Sequence, residues 1–484
     1  MNQLLSLLIL IPLVGGVITY LVGRFNKEAT KYSALSISII TGILFLLTLT
    51  KFNIKIGKYQ LVEEYSWLNS IGSQILLGID GLSATLVGLT ILLTIVAIGM
   101  SWKKIKKKKK SYYPLLLLLE AGLIGVFLSL DFIIFFIFWE ITLIPMFFII
   151  AIWGGERRLY ASIKFFIYTH LSSLFLLISI IAIYLHSPIQ TFSIPVLTEI
   201  TQTFSPQLQL MIFIGVFIGF AVKMPIVPFH TWLPDAHVEA PTPGSVMLAG
   251  VLLKMGGYVL IRVGYMMLPS AIDLAMPILA IISIVTMFYA GFVAMGQEDL
   301  KSLIAYSSVG HMGIVLFGVA SMTVYGIAGG IYQMISHGLI SALLFSICGM
   351  IKKDVGTRKI SKLSGLAKET PTLTGILVFG SFAGLGLPSL SGFIAELTVF
   401  IGAFSTWEIY TILAIISLIV TASYFIWMLQ RTIFGESQLN SKEINWKIEI
   451  TSLIPLIILI IIFGVYPDLL FDYINPFVKL ITSI

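Results

Sequence analysis

Residues 220–244 read FAVKMPIVPFHTWLPDAHVEAPTPG. One lysine, two histidines, an aspartate and a glutamate stand there among five prolines, with apolar sequence on both sides. Proline removes a backbone donor and collides with the preceding turn, so no continuous helix runs through this stretch. Broken backbone inside greasy sequence survives only where protein buries it or where it lines a wet cavity. The stretch therefore reads as a polar passage inside an apolar bundle.

The rest of the chain supplies that bundle. Its 484 residues are 58% hydrophobic and 11% charged, with a mean hydropathy of +1.01, against about 25% charged residues in soluble domains. Windows of about 20 apolar residues, long enough to cross a bilayer, recur throughout. They predict an all-α polytopic membrane protein with about fourteen spans, roughly 3–22, 31–50, 80–101, 113–130, 131–153, 162–186, 208–228, 243–264, 271–295, 301–320, 325–350, 372–404, 408–434 and 447–466. The first run, Leu4 to about Val22, has no basic residue before it and no clear small-residue cleavage site, so it is expected to be a retained span.

Orientation follows from lysine and arginine in short loops. Arg24, Lys27 and Lys31, the run Lys103 to Lys110, Arg157 and Arg158, Lys301, the segment 352–369 and Lys442 all fall on one side of a fourteen-span chain. That side should face the cytoplasm or its equivalent, and both termini the opposite side. Between two spans the lysine run is a topological signal with a weak attraction to anionic lipid, and no nucleic acid is expected. A cell (inner) membrane or other energy-transducing membrane is the expected location.

Two spans are interrupted, the seventh by Pro225 and Pro228 and the twelfth by GLGLPSLSG (384–392). Paired breaks at matching places point to internal repeats with a transport site at each break. The breaks lie five spans apart, which predicts five-helix units over 113–264 (spans 4–8) and 271–434 (spans 9–13). Because five is odd, the second unit must be inverted. Residues 1–112 add three helices before the repeats, and 447–484 add the fourteenth helix and a tail.

A charge at the bilayer centre costs at least about 2.5–3.5 kcal/mol, so ionisable residues there are candidates for function. Glu140, Lys223, Lys254, His311, His337 and Glu396 lie near mid-span; Glu120 and Lys164 lie nearer their span ends. Each alone could be an ion pair or hydrogen bond that only holds the bundle. Together they suit proton movement. Burial lowers a lysine pKa and raises a glutamate pKa, an opposite charge reverses both, and histidine titrates near neutrality already. His230, Asp235, His237 and Glu239 are also metal-ligand types, but their spacing matches no zinc signature. A polar gate is the preferred reading, and no metal is expected.

Cys348, the only cysteine, sits in apolar sequence as a small hydrophobe. One thiol cannot hold an iron–sulfur cluster, and no Rossmann or P-loop fingerprint occurs. No cofactor is expected in this chain.

At these residues the chain resembles a known family. FAVKMPIVPFHTWLPDAHVEAPTPGSVMLAGVLLKMGGYVLIRV, IAYSSVGHMG, MISHGL and LPSLSGFIAEL resemble, in order over roughly residues 75–435, the antiporter-like subunits of respiratory complex I and its relatives. LGIDGLS and FWEITLIPM resemble the M type, which corresponds to the fourth type in mitochondria and to the D type in plastids and cyanobacteria. The resemblance implies fourteen helices with two inverted five-helix repeats, broken at helices seven and twelve. It also implies a proton path through the pair Glu140 and Lys223, a bridging Lys254, histidines 311 and 337, and a terminal Glu396. That last group is glutamate in the M type and lysine in the L and N types and in Mrp antiporters. The sequence ends about eighteen residues after its last span, whereas an L-type subunit would continue into a long lateral helix. GFIAEL departs from the glycine many members carry before the glutamate, and VEAPTPG is variable, but neither removes an ionisable group.

The expected function is proton translocation in the membrane arm of a complex I-like oxidoreductase. The alternatives are an Mrp-type cation/proton antiporter subunit, a membrane subunit of a related membrane-bound hydrogenase, and a structural subunit whose charges only pack. Moving one charge costs about 2.3 kcal/mol per 100 mV, and no motif here supplies it. Neighbouring antiporter-like subunits and a peripheral redox arm, which would carry the redox cofactors and quinone, are the expected partners. The chain would then be a non-redox subunit of a translocase, without a complete active site of its own.

Overall fold

Aspartate caps set several of the helix starts in this fold. The computed structural model describes residues 3–437, 439 and 446–483; Lys442 lies outside them. Asp80 accepts from Ser83 N at 2.9 Å and opens α3 (Gly81–Ser101), after α1 (Leu4–Phe25) and α2 (Ala29–Lys51). α4 (Lys109–Leu128) precedes Asp131, which accepts from Ile133 N and Ile134 N and opens α5 (Phe132–Trp153). Such caps satisfy amides that a helix start leaves free. α6 (Arg158–His186) follows, then α7 (Pro206–Lys223), the short α8 (Trp232–Glu239) and α9 (Thr242–Tyr265).

The second half runs α10 (Pro269–Met295), α11 (Leu300–Ala320, capped by Asp299), α12 (Val324–Val355), α13 (Pro371–Gly384), α14 (Ser391–Phe404), α15 (Glu408–Ile433), α16 (Lys447–Val465) and α17 (Asp468–Thr482). Among the described residues, thirteen helices are long and apolar enough to cross a membrane. α13 and α14 have 14 residues each, too short singly, and together account for the fourteenth crossing. The chain is thus an integral, multi-pass membrane protein. Both breaks fall where the prolines and glycines place them: the seventh span stops at Lys223 and the twelfth at Gly384.

Two features go beyond the sequence reading. An antiparallel hairpin, β1 (Gln60–Leu68) and β2 (Ser73–Ile79), lies between α2 and α3. Its Glu63 accepts from Leu5 N at 2.7 Å and Ser6 N at 3.0 Å, satisfying free amides at the start of α1. Asp131 in turn receives Ser73 Oγ at 3.0 Å and Gln74 N at 3.1 Å. The tail forms α17, whose Leu470, Ile474, Phe477, Val478 and Ile481 make one buried stripe, packed on α3 and α12.

The basic loops meet on one face. Trp153 Nε1 donates to Lys107 O at 2.8 Å, Lys109 pairs with Glu28, and Arg358 pairs with Asp299 at 3.0 Å. The hairpin, α17 and the start of α1 lie at the other face, where the buried pair Arg262 Nη2–Asp80 Oδ2, 2.7 Å apart, also stands. α9 and α12 form the axis of the bundle: every residue in the most apolar window of each is buried. Close packing at the first break needs a glycine, since a Cβ at Gly256 of α9 would stand 2.7 Å from Met224 N. Two stretches of α9, Leu248–Leu252 and Leu260–Tyr265, are π-helical, their hydrogen bonds reaching one residue further along the chain than in the α form.

Candidate functional site

The two axial helices carry the centre of the site. Lys254 on α9 lies between the π-helical stretches, fully buried. Its Nζ donates to Ala249 O and stands 2.8 Å from His337 Nδ1 of α12. Either an ammonium donates to a bare Nδ1 or an Nδ1–H donates to a neutral amine, so the contact shares one proton. The rings of His337 and His311 on α11 lie 5.3 Å apart, and His311 Nε2 stands 4.0 Å from Glu396 Oε1 on α14. Lys254, His337, His311 and Glu396 therefore form one series reaching the second break. There His311 Nε2 also holds Gly384 O, at 3.0 Å; a carbonyl only accepts, so Nε2 bears the proton.

The first break is arranged differently. Trp232 Nε1 at the start of α8 donates to Val222 O at 2.9 Å, filling an acceptor that the end of α7 leaves free. Lys223 Nζ is buried 5.0 Å over the Trp139 ring, without a hydrogen-bond partner among the described residues. The expected contact of Glu140 with Lys223 is not made. Glu140 Oε2 instead meets His170 Nδ1 at 2.7 Å, and Oε1 accepts from Ser173 Oγ, both on α6. Its side chain is 24% exposed and that of His170 43%, so this pair opens on the outer surface of the chain at membrane depth.

Residues 230–239 do not converge on a metal. His230 lies against the rings of Tyr289 and Tyr306, and Asp235 pairs with Lys164 at 2.7 Å. His237 stacks on Phe345, rings 4.4 Å apart, with neither ring nitrogen partnered among the described residues. Glu239 accepts from Arg157 N at 2.9 Å through its carboxylate and from Gly155 N through its carbonyl. Asp235 and Glu239 line a polar recess of about 220 Å³ with Arg157, Gln297, Ser302 and Tyr306, on the face of the basic loops. His237 sits behind this recess on α8. Lys301 Nζ and Arg358 Nη1 hold the carbonyls of Ala240 and Val238, at 2.6 and 3.2 Å, and so pin the end of α8. Glu120 stands apart from the series: its Oε1 accepts from Ser38 Oγ at 2.9 Å, and Oε2 has no partner among the described residues.

His170 escaped the sequence reading, although it is ionisable and lies inside the 162–186 window by the same criterion that singled out the others. Arg262 and Asp80 escaped too, both near span ends and paired only in space.

Residues 129–423 match the family described as NADH:quinone oxidoreductase/Mrp antiporter, transmembrane. The chain belongs to this family. It is 40% identical over 474 residues to NADH-quinone oxidoreductase subunit M of Rickettsia bellii, covering 96% of this chain and 95% of that one. It is 39% identical over 477 residues, with the same coverage, to F(420)H(2) dehydrogenase subunit M of Methanosarcina mazei. Among solved structures, a chain of respiratory complex I from Thermus thermophilus superposes with a TM-score of 0.89 over 99% of both chains at 27% identity. A chain of the Mrp complex from Dietzia sp. DQ12-45-1b does so at 0.88, over 100% of this chain and 98% of that one, with 20% identity, and shares the fold. These similar proteins are subunits or chains of larger complexes.

Proposed function

We propose that the chain is a proton-translocating subunit in the membrane arm of a redox-driven, complex I-like oxidoreductase. The observation that carries this reading is the series Lys254–His337–His311–Glu396, in contacts of 2.8, 5.3 and 4.0 Å that pass from α9 through α12 and α11 to α14 at the second break. Each member changes charge by gaining or losing one proton, and nothing about the fold requires four titratable groups in a row. The recess at Asp235 and Glu239, followed by His237, forms the inlet from the basic face. Glu140 and Lys223 form the switching pair beside the first break, and Glu396 leads to the outlet.

In this reading 113–264 and 271–434 are the two inverted units, each with its own break. The basic face meets the cytoplasm or its equivalent, and both termini lie on the other side. The chain contributes no redox centre; cofactors and quinone reside in partner subunits. Relatives that use different donors are equally similar to it, 40% and 39%, so the donor is set by the peripheral arm. The half-exposed Glu140–His170 pair is too polar to face lipid tails, and a neighbouring membrane subunit covers it. Glutamate at 396 favours this reading over the Mrp antiporter.

Lys254→Met tests it in the assembled complex reconstituted into proteoliposomes. Removing one proton-transfer group from the centre should lower pumped protons per electron to below about a tenth of wild type. Wild-type stoichiometry in that variant would refute the path.

A further inference from the structure

Resting on the proton-path reading above, we infer that His170 is a positioning residue of the first half-site, one that competes with Lys223 for the Glu140 carboxylate. Ser173 follows His170 by three residues, so the two donors share one face of α6. Both point at Glu140: Nδ1 of His170 to Oε2 at 2.7 Å, and Oγ of Ser173 to Oε1. Ser173 Oγ also lies 2.7 Å from His170 O, so its single O–H is shared between that carbonyl and Oε1, which ties it to the same turn. The two donors draw the carboxylate toward the outer surface, while Lys223 stays buried beside Trp139 without a hydrogen bond among the described residues. Glu140 thus has two possible cationic partners on two helices, and the structure records one of them.

The chemistry of the imidazole makes this competition a device. A carboxylate only accepts, so Nδ1 bears a proton in the observed contact and Nε2 is the atom that gains or loses one. With both nitrogens protonated, imidazolium and carboxylate cancel, and Lys223 faces no net negative charge. An ammonium held at membrane depth without that compensation gives its proton to the next acceptor on the path. When Nε2 loses its proton, the carboxylate charge is again uncompensated, and Lys223 takes a proton and turns to it. One proton gained at Nε2, on the side of the ring turned away from Glu140, therefore accompanies one proton lost from Nζ, and the trio keeps its net charge.

The other titratable groups on the helices packed against α6 are engaged elsewhere. α5 presents Glu140, α7 presents Lys223, and the part of α5 that follows Thr142 carries no titratable residue. α8 presents Asp235, held by Lys164 of α6, with His237 stacked on Phe345 and Glu239 bound to the 155–157 backbone. Tyr168, on α6 itself, accepts from Thr231 Oγ1 at 3.1 Å.

The test uses the reconstituted complex, with pumped protons per electron measured from about pH 5.5 to 8.5, the range an imidazole spans. His170→Gln keeps a hydrogen-bond donor and loses the titration, so its profile should be flatter than wild type. His170→Arg should hold Glu140 permanently and cut pumping to less than about a third, because a guanidinium cannot be deprotonated in a protein. A His170→Gln profile that superposes on wild type, or wild-type pumping by His170→Arg, overturns the inference. Infrared difference spectra of the wild-type complex with ring-labelled histidine decide the matter if neither variant assembles. The carboxylate band that Glu140→Gln removes should then titrate together with a label-sensitive imidazole band, and independent titration of the two overturns the inference. Glu140→Gln separates the two levels: if it pumps normally the proton-path reading of this half-site fails, whereas lost pumping there with an unaltered His170→Gln profile removes only His170.

Discussion

Each of the two helix breaks leaves a carbonyl to be satisfied, and each uses a different ring to do it. At the first, the Trp232 indole holds Val222 O at 2.9 Å; at the second, the His311 imidazole holds Gly384 O at 3.0 Å. An indole has one charge state at any working pH and an imidazole has two. In the proposed path, scaffold and proton carrier are then separate residues at the first break, where Lys223 stands free of the backbone repair. At the second they are the same residue, so the charge on His311 and the geometry of the break are linked. Similar interruptions can thus serve as a fixed frame in one half and a titrating one in the other.

The largest effect expected is on the first half-site. Glu140→Gln should leave the complex assembled while proton pumping, and the electron transfer coupled to it, fall sharply; Glu140→Asp should keep part of the activity. Were the residue only structural, a stranded partner would cost about 3–5 kcal/mol, assembly would suffer, and a double change with Lys223→Met would repair it. The double variant is expected to stay inactive, and normal pumping by it would end the switching account.

Next in size is the contrast between the rings. His311→Gln, which keeps a donor without the titration, should lower pumping per assembled complex, as should Glu396→Gln beside it. Trp232→Phe should instead leave a buried carbonyl unsatisfied, costing about 1–3 kcal/mol, and lower yield with pumping per assembled complex retained. Measured stoichiometry and yield that fall together in both variants would erase the distinction between the breaks. A finer probe is Gly386, which has φ +79° and where a Cβ would stand 2.4 Å from Glu396 Oε2. Gly386→Ala should cost about 1–2 kcal/mol of backbone strain and displace Glu396, reducing pumping. A cryo-electron microscopy map of the variant with Glu396 unmoved would contradict this.

The smallest effect concerns the basic face, where Lys104 donates to Thr242 Oγ1 at the start of α9. Partial burial, and after it the Lys352 charge, draw its pKa down from 10.5 to about 7. A folded pKa below the unfolded one means that unfolding takes up a proton between the two values, so stability rises with pH through that window and is lowest below it. The melting temperature of the complex should rise from about pH 7 to about pH 9. Lys104→Met should lose part of that rise, and an identical rise in both would show that Lys104 contributes nothing to it.

What could be read from the sequence was what it writes locally. Pro225, Pro228 and the 384–392 stretch fall at the ends of α7 and α13, because a missing amide or a positive φ acts on the residue's own turn. Lys254, His337, His311 and Glu396 were visible as charges inside spans, and the bundle brings all four together. Partner choice was not visible. Glu140 meets His170 and not Lys223 because the facing of α6 against α5 is decided by packing, which no spacing along the chain records. The hairpin is hidden because β1, QLVEEYSWL, keeps no strict alternation, and α17 because its apolar stripe occupies only one side of the helix.

Lys254 owes its place to a detail of backbone winding. The wide turn over Leu248–Leu252 brings Ala249 O, five residues back, within reach of the ammonium it carries. Part of the solvation this charge needs is therefore supplied by its own helix. A turn of α9 about its axis would move the charge and that oxygen as one body, and the cost of stripping the charge bare at each change of neighbour would be reduced.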